Sequence, residues 1–157
     1  TPQPFPSFRA RALPVLLAIA AAALPGCSDE DPVEAPSVEN FARNWHLPSC
    51  VYRSQANSPA SVDLVASGWV IDLVVNDNGR LRYAWTPPGG DLAFWDGNWS
   101  VDGGALLVTR DGNGFSWEFE ARVQESTMTL AGASAEYDFD DDGTPEAATW
   151  DLAGATD

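Results

Sequence analysis

Residues 138–146, Asp-Phe-Asp-Asp-Asp-Gly-Thr-Pro-Glu, carry the densest set of oxygen ligands in this 157-residue sequence. Asp138, Asp140 and Asp142 occupy the first, third and fifth positions of a calcium-loop spacing, and Gly143 stands at the sharp-turn sixth. Ca²⁺ takes six to eight oxygens at about 2.3–2.6 Å, so only a tightly curled chain satisfies it. The Thr144 carbonyl would serve at the seventh position and Glu146 near the ninth. The bidentate glutamate of the twelfth position is missing, since Thr149 stands there, and no flanking helices are expected. Two readings stay open: a structural Ca²⁺ site, or a solvated acidic turn between two strands.

The remaining candidates for chemistry are sparse. The single histidine, His46, follows Trp45 and reads as a surface or rim residue. Glu118 and Glu120 share the polar face of one strand. They are either a carboxylate pair of the kind used in sugar hydrolysis or ordinary solvated surface. Cys50 lies in an apolar-polar stretch and is expected as a small buried core residue. There is no phosphate loop, no zinc-ligand spacing and no serine-histidine-aspartate arrangement in a recognisable context. Without a nucleophile-base pair, an enzyme is disfavoured.

Aromatic residues form the second constellation. Trp69, Tyr83, Trp85, Phe94, Trp95, Trp99, Phe115, Trp117 and Phe119 recur on β-faces. Rings on a half-buried sheet fill a core or line a cavity. The cavity candidates are Trp69, Tyr83, Trp85, Trp99, Trp117 and Phe119.

The elements that must place these residues are short strands. In 69–76, Trp69, Ile71, Leu73 and Val75 fall on one face, and Asp77-Asn78-Gly79 supplies a hairpin turn. In 80–86, Leu81, Tyr83 and Trp85 alternate with Arg80, Arg82 and Ala84. Residues 115–124 alternate most cleanly, with Phe115, Trp117, Phe119, Ala121 and Val123 against Ser116, Glu118, Glu120, Arg122 and Gln124. Eight or nine such strands follow at spacings of roughly 8–12 residues, mostly joined by tight turns. Tight turns make neighbours antiparallel, so the simplest topology is a meander. A sheet with one dry face and this many strands curls into a small up-and-down barrel, and a two-sheet sandwich is the alternative. A short helical turn fits within 58–67, and no amphipathic helix of ten or more residues is expected.

The N-terminal part has a different character. Arg9 and Arg11 precede an apolar run over 12–24, which Pro25, Gly26 and Cys27 close. A basic flank, a short apolar core and a small-residue site are the anatomy of a secretory signal. The run is too short for a membrane span, which needs about 20 residues. Cysteine directly after the small residue resembles the lipobox of bacterial lipoproteins. That resemblance implies cleavage before Cys27 and acylation of its thiol and new amine. Ser28 resembles the sorting residue of outer-membrane lipoproteins. The expected organisation is a signal peptide over 1–26, a lipidated cysteine and flexible acidic tether over 27–39, and one domain over 40–157.

All 23 acidic residues follow Cys27 and two of the eight basic ones precede it, so the processed chain would carry a formal charge of −17, with no lysine. That surface repels phosphate backbones and excludes nucleic acid as a partner. With Cys27 acylated, Cys50 stands alone and no framework disulfide forms within the domain.

Within the domain, Asn44-Trp45, the hairpin VVNDNGRLRY, Gly97-Asn98-Trp99, the strand ALLVTR and the end DFDDDGTPEAATW together resemble bacterial lipocalin-like lipoprotein domains. The resemblance spans about 40–152. It implies a small antiparallel barrel, often with a central cavity for an apolar molecule. The leading expectation is an envelope protein, lipid-anchored at the outer membrane, that binds a small hydrophobic ligand. The alternative is a structural or interaction module with a filled core. An aromatic-lined void of about 300 Å³ or more separates the two in favour of binding.

Overall fold

The computed structural model describes residues 37–56 and 60–156. The signal-like segment, Cys27 and the acidic stretch after it lie outside the described residues.

Alternation of apolar and polar side chains is carried into nine strands among the described residues. These are β1 (Asn44–Ser54), β2 (Ser61–Asp63), β3 (Val70–Val75), β4 (Arg80–Thr86), β5 (Ala93–Asp102), β6 (Ala105–Arg110), β7 (Ser116–Gln124), β8 (Thr127–Tyr137) and β9 (Glu146–Ala155). Strands β3 to β9 pair antiparallel in chain order, and β1 pairs with both β3 and β9. That last pairing closes an eight-stranded ring of β1 and β3–β9 and removes the sheet's edges. A sandwich is thereby excluded. Strand β2 adds to the later part of β1, with Val51 opposite Asp63 and Arg53 opposite Ser61.

The turns follow local chemistry. Gly79 adopts φ +80° in the β3–β4 hairpin, a conformation glycine accepts without a Cβ clash. In β8 the register shifts between Leu130 and Ala133, and Gly132 there has φ +80°. Its amide donates to the Asp151 carboxylate at 2.8 Å, so the bulge is hydrogen-bonded to β9.

A short helix, α1 (Val38–Phe41), precedes the barrel. Ser37 caps it: the Asn40 amide donates to Ser37 Oγ at 3.3 Å and the Ser37 amide to Asn40 Oδ1 at 2.7 Å. The helix takes in Val38 and Glu39, which composition had assigned to the tether. Phe41 is the reason. Its ring is fully buried and packs edge-on against Trp99 at 5.2 Å and tilted against Trp45 at 6.2 Å. The 64–68 segment after β2 is a single turn, closed by the Ser67 amide donating to the Asp63 carbonyl at 3.1 Å.

The inward residues form one core that includes Leu47, Ile71, Leu73, Leu81, Leu106, Phe119, Val123, Leu130 and Leu152. Each fully buried side chain of this size contributes about 1.5–3 kcal/mol. Gly97 is required inside the wall: a Cβ there would strike the Thr109 carbonyl across the β5–β6 ladder. Outward positions carry ion pairs, among them Arg53–Asp151 at 3.0 Å, Arg82–Asp96 at 2.7 Å and Arg122–Glu120 at 2.6 Å. Such exposed pairs contribute at most about 1 kcal/mol each.

Candidate functional site

Along the barrel axis the interior divides into two parts. Around α1 it is packed solid. Trp45 Nε1 donates to the Phe41 carbonyl at 3.0 Å and Trp99 Nε1 to the Asn76 carbonyl at 2.9 Å. Toward the loops that join β4–β5, β6–β7 and β8–β9, the interior opens into a cavity of about 750 Å³.

Nine aromatic side chains line it: Tyr52, Trp69, Tyr83, Trp85, Trp95, Phe115, Trp117, Tyr137 and Trp150. Two stacks run across the strands. Tyr83 stacks on Trp95 at 5.4 Å, Trp95 on Trp117 at 5.4 Å, and Trp117 on Phe115 at 6.3 Å. Opposite runs the stack Tyr137–Tyr52–Trp150, at 4.8 and 5.7 Å. Trp150 meets Tyr83, Trp117 and Phe119 edge-on at 5.4–5.5 Å and so ties the two stacks together. Each such contact adds about 0.5–1.5 kcal/mol beyond area burial. The polar lining is thin: Gln55, Arg110, Ser116, Ser134 and Glu136.

Beneath the stacks, Trp150 Nε1 donates to Cys50 Sγ at 3.3 Å, and Tyr83 Oη lies 3.5 Å from the same sulfur. Burial raises the Cys50 thiol above its ordinary range, against the lowering effect of the Trp150 and Tyr83 hydrogen bonds. Burial also raises the Tyr52 and Tyr83 phenols. The thiol and both phenols are therefore uncharged at physiological pH, and Cys50 is a core residue rather than a nucleophile.

Asp63 clamps the turn after β2. Ser49 Oγ donates to Asp63 Oδ2 at 2.9 Å, while the amides of Val65 and Cys50 donate to Oδ1 at 3.0 and 3.2 Å. Partial burial disfavours its charge, but the bonds from Cys50, Ser49, Ala66 and Val65 outweigh that and hold its carboxyl below the usual range. The clamped turn carries Leu64 and Trp69 to the cavity.

Of the cavity candidates named by the sequence, Trp69, Tyr83, Trp85 and Trp117 line the opening. Trp99 and Phe119 do not. They point inward, but they sit in the packed part, 6 % and 1 % exposed. Phe94, grouped by alternation with the interior rings, faces outward at 52 % exposure, where the Arg82 guanidinium lies 4.1 Å over its ring. Tyr52, Trp95, Phe115, Tyr137 and Trp150 complete the wall and were not among those cavity candidates, though Trp95 and Phe115 stood in the wider aromatic set. Trp150 had a usable signal, since it alternates with Ala148 and Leu152, which are buried with it.

The other candidates lie apart from the cavity interior. His46 Nδ1 meets Asp72 Oδ1 at 3.0 Å on the outer face. Glu118 and Glu120 are both outward, and Glu120 pairs with Arg122. A second hollow, of about 760 Å³, lies against Gly104, Gly132, Glu118 and Glu120. Its one aromatic is Trp117, so it lacks the apolar walls that hold small molecules.

In the acidic loop the carboxylate oxygens of Asp138, Asp140 and Asp142 converge to within 4.8 Å of one another. The Gly143 amide donates to Asp138 Oδ2 at 2.8 Å and the Thr144 amide to Asp142 Oδ1 at 2.7 Å. Glu146 Oε2 accepts from the Phe139 amide at 3.0 Å. The acids thus close the turn through backbone donors, and Asp141 adopts φ +57° to allow it.

No protein-family model and no curated protein sequence matches the chain. A solved structure of a lipocalin-like protein from Bacteroides uniformis is similar, with a TM-score of 0.44 and 15% identity, covering 74% of this chain and 99% of that one. By strand number, strand order and closure, the domain is a lipocalin-like antiparallel barrel of eight strands with one short strand added.

Proposed function

We propose that this protein is an exported, lipid-anchored binding domain that holds a small apolar molecule in the open part of its barrel. The observation that carries the binding half is the cavity of about 750 Å³ with nine aromatic side chains in its wall. That volume lies within the roughly 300–1,000 Å³ of small-molecule sites. A filled-core scaffold would leave no such space. We read the site as non-catalytic: among the described residues the side-chain partners of Cys50 are Tyr83 and Trp150, and His46 lies on the outer wall with Asp72.

The anchoring half rests on sequence, on Arg9, Arg11, the apolar run and Cys27. Acyl chains at Cys27 would contribute about 0.8 kcal/mol per buried CH₂, and Ser28 favours the outer membrane as destination. The acidic stretch behind Cys27 would hold the domain off the bilayer.

Titration with the neutral fluorophore N-phenyl-1-naphthylamine tests binding. One saturable site with tryptophan quenching is expected, and absence of saturable binding overturns the reading. Labelled palmitate tests the anchor: incorporation should be lost in Cys27→Ser, and an unlabelled wild-type chain would refute anchoring.

A further inference from the structure

Tryptophan N–H groups fall into two sets. Trp45, Trp99 and Trp150 each donate to an acceptor within the protein. Trp69, Trp85, Trp95 and Trp117, all lining the cavity, donate from their indoles to no described residue. None of these N–H groups is an orphaned buried donor, so all four are open to solvent.

Arginines show the same division. Arg53, Arg80, Arg82 and Arg122 pair with carboxylates, and Arg43 donates to the Glu125 carbonyl and covers Trp45. Arg110 alone, half-buried in the cavity lining, has a side chain with no partner among the described residues. In a chain with so many carboxylates, an arginine left unpaired beside an aromatic wall is a donor held for something else. Glu136 also borders the cavity, but it is exposed, and water and salt screen its charge over about 8 Å. The Asp138 and Asp142 carboxylates are engaged by amides of their own loop.

We infer that the ligand is a flat, conjugated ring system bearing an anionic oxygen group, with the ring against the Tyr83–Trp95–Trp117 stack and the anion on Arg110 and the free indole N–H groups. This rests on the binding reading above and narrows it. Stacked walls favour a planar ring over a bent acyl chain, because a ring continues the offset-stacked geometry. Four indole N–H groups and one guanidinium without partners among the described residues favour acceptor oxygens, and a guanidinium matches a carboxylate or sulfonate in a bidentate fork.

The test uses two fluorophores with one ring skeleton, N-phenyl-1-naphthylamine and its 8-sulfonate, 8-anilinonaphthalene-1-sulfonate. The wild-type barrel should bind the sulfonate roughly tenfold more tightly. Arg110→Gln should bring the two to parity by weakening the sulfonate several-fold more than the neutral probe, and Arg110→Lys should restore part of the preference. 1-Naphthoate should displace the sulfonate, whereas dodecanoate and naphthylmethylammonium should not. Equal binding of the two probes, a preference that survives Arg110→Gln, or displacement by dodecanoate or the ammonium cation overturns the inference and leaves the binding reading intact. Failure of both probes to bind removes both.

Discussion

The two ends of this barrel use the same side chain for opposite purposes. Around α1, Trp45 and Trp99 are buried, hydrogen-bonded to backbone carbonyls and wedged against Phe41. At the loop end, Trp69, Trp85, Trp95 and Trp117 are half-buried and their indoles donate to no described residue, and Trp95 and Trp117 stack on other rings. The difference teaches that aromatic content alone says nothing about a cavity. What distinguishes lining from filling is whether a plug such as Phe41 occupies the space; most lining indoles then lack an internal acceptor, Trp150 with its bond to Cys50 being the exception.

Disrupting the packed end should have the largest effect. Trp99→Ala removes a buried ring and its bond to Asn76, and should cost about 3–5 kcal/mol in urea denaturation. Trp117→Ala should cost only roughly 1–2 kcal/mol of stability while weakening N-phenyl-1-naphthylamine about tenfold. If the two variants lose stability equally, the ends do not differ as described.

Next in size is the Asp63 clamp. Its carboxyl is depressed in the folded state, so its stabilisation is present above the unfolded value near 3.8 and is lost as pH falls through the lower folded value. Asp63→Asn should lower stability by about 1–2 kcal/mol at neutral pH, flatten the acid limb of the pH-stability curve and loosen probe binding through Trp69. An unchanged acid limb would show that the clamp contributes nothing there.

The smallest effect is expected in the acidic loop. If the converging carboxylates of Asp138, Asp140 and Asp142 hold Ca²⁺, millimolar Ca²⁺ should raise Tm by about 2–4 °C over EDTA. Asp140→Asn with Asp142→Asn should abolish the rise. A Tm indifferent to Ca²⁺ in the wild type would leave the segment as an acidic turn only.

How much of this was legible varied with the geometry involved. In-or-out was readable wherever alternation was clean: Ile71, Leu73 and Val75, or Phe119, Ala121 and Val123, are all buried as their spacing requires. Height along the axis was not. Trp99 and Trp117 both read as inward, yet one is core and the other wall, because strand tilt and shear decide which layer a residue joins. Closure of β1 on β9 brings Tyr52 beside Trp150 from nearly opposite ends of the domain, and no local pattern encodes that pairing. Helix α1 was missed because its cap uses Asn40 where the usual signal is Glu or Gln, and because the helix is a single turn. Phe94 was misassigned because Pro87, Pro88, Gly89 and Gly90 interrupt the phase before β5.

The most direct test is the indole region of a ¹H–¹⁵N spectrum, where the seven tryptophans give seven side-chain signals that single Trp→Phe variants assign. The account predicts fast solvent exchange for Trp69, Trp85, Trp95 and Trp117, and shifts on adding N-phenyl-1-naphthylamine that are largest at those four. Trp45 and Trp99 should exchange slowly and stay in place. Uniform exchange across all seven, or probe-induced shifts centred on Trp45 and Trp99, would contradict it.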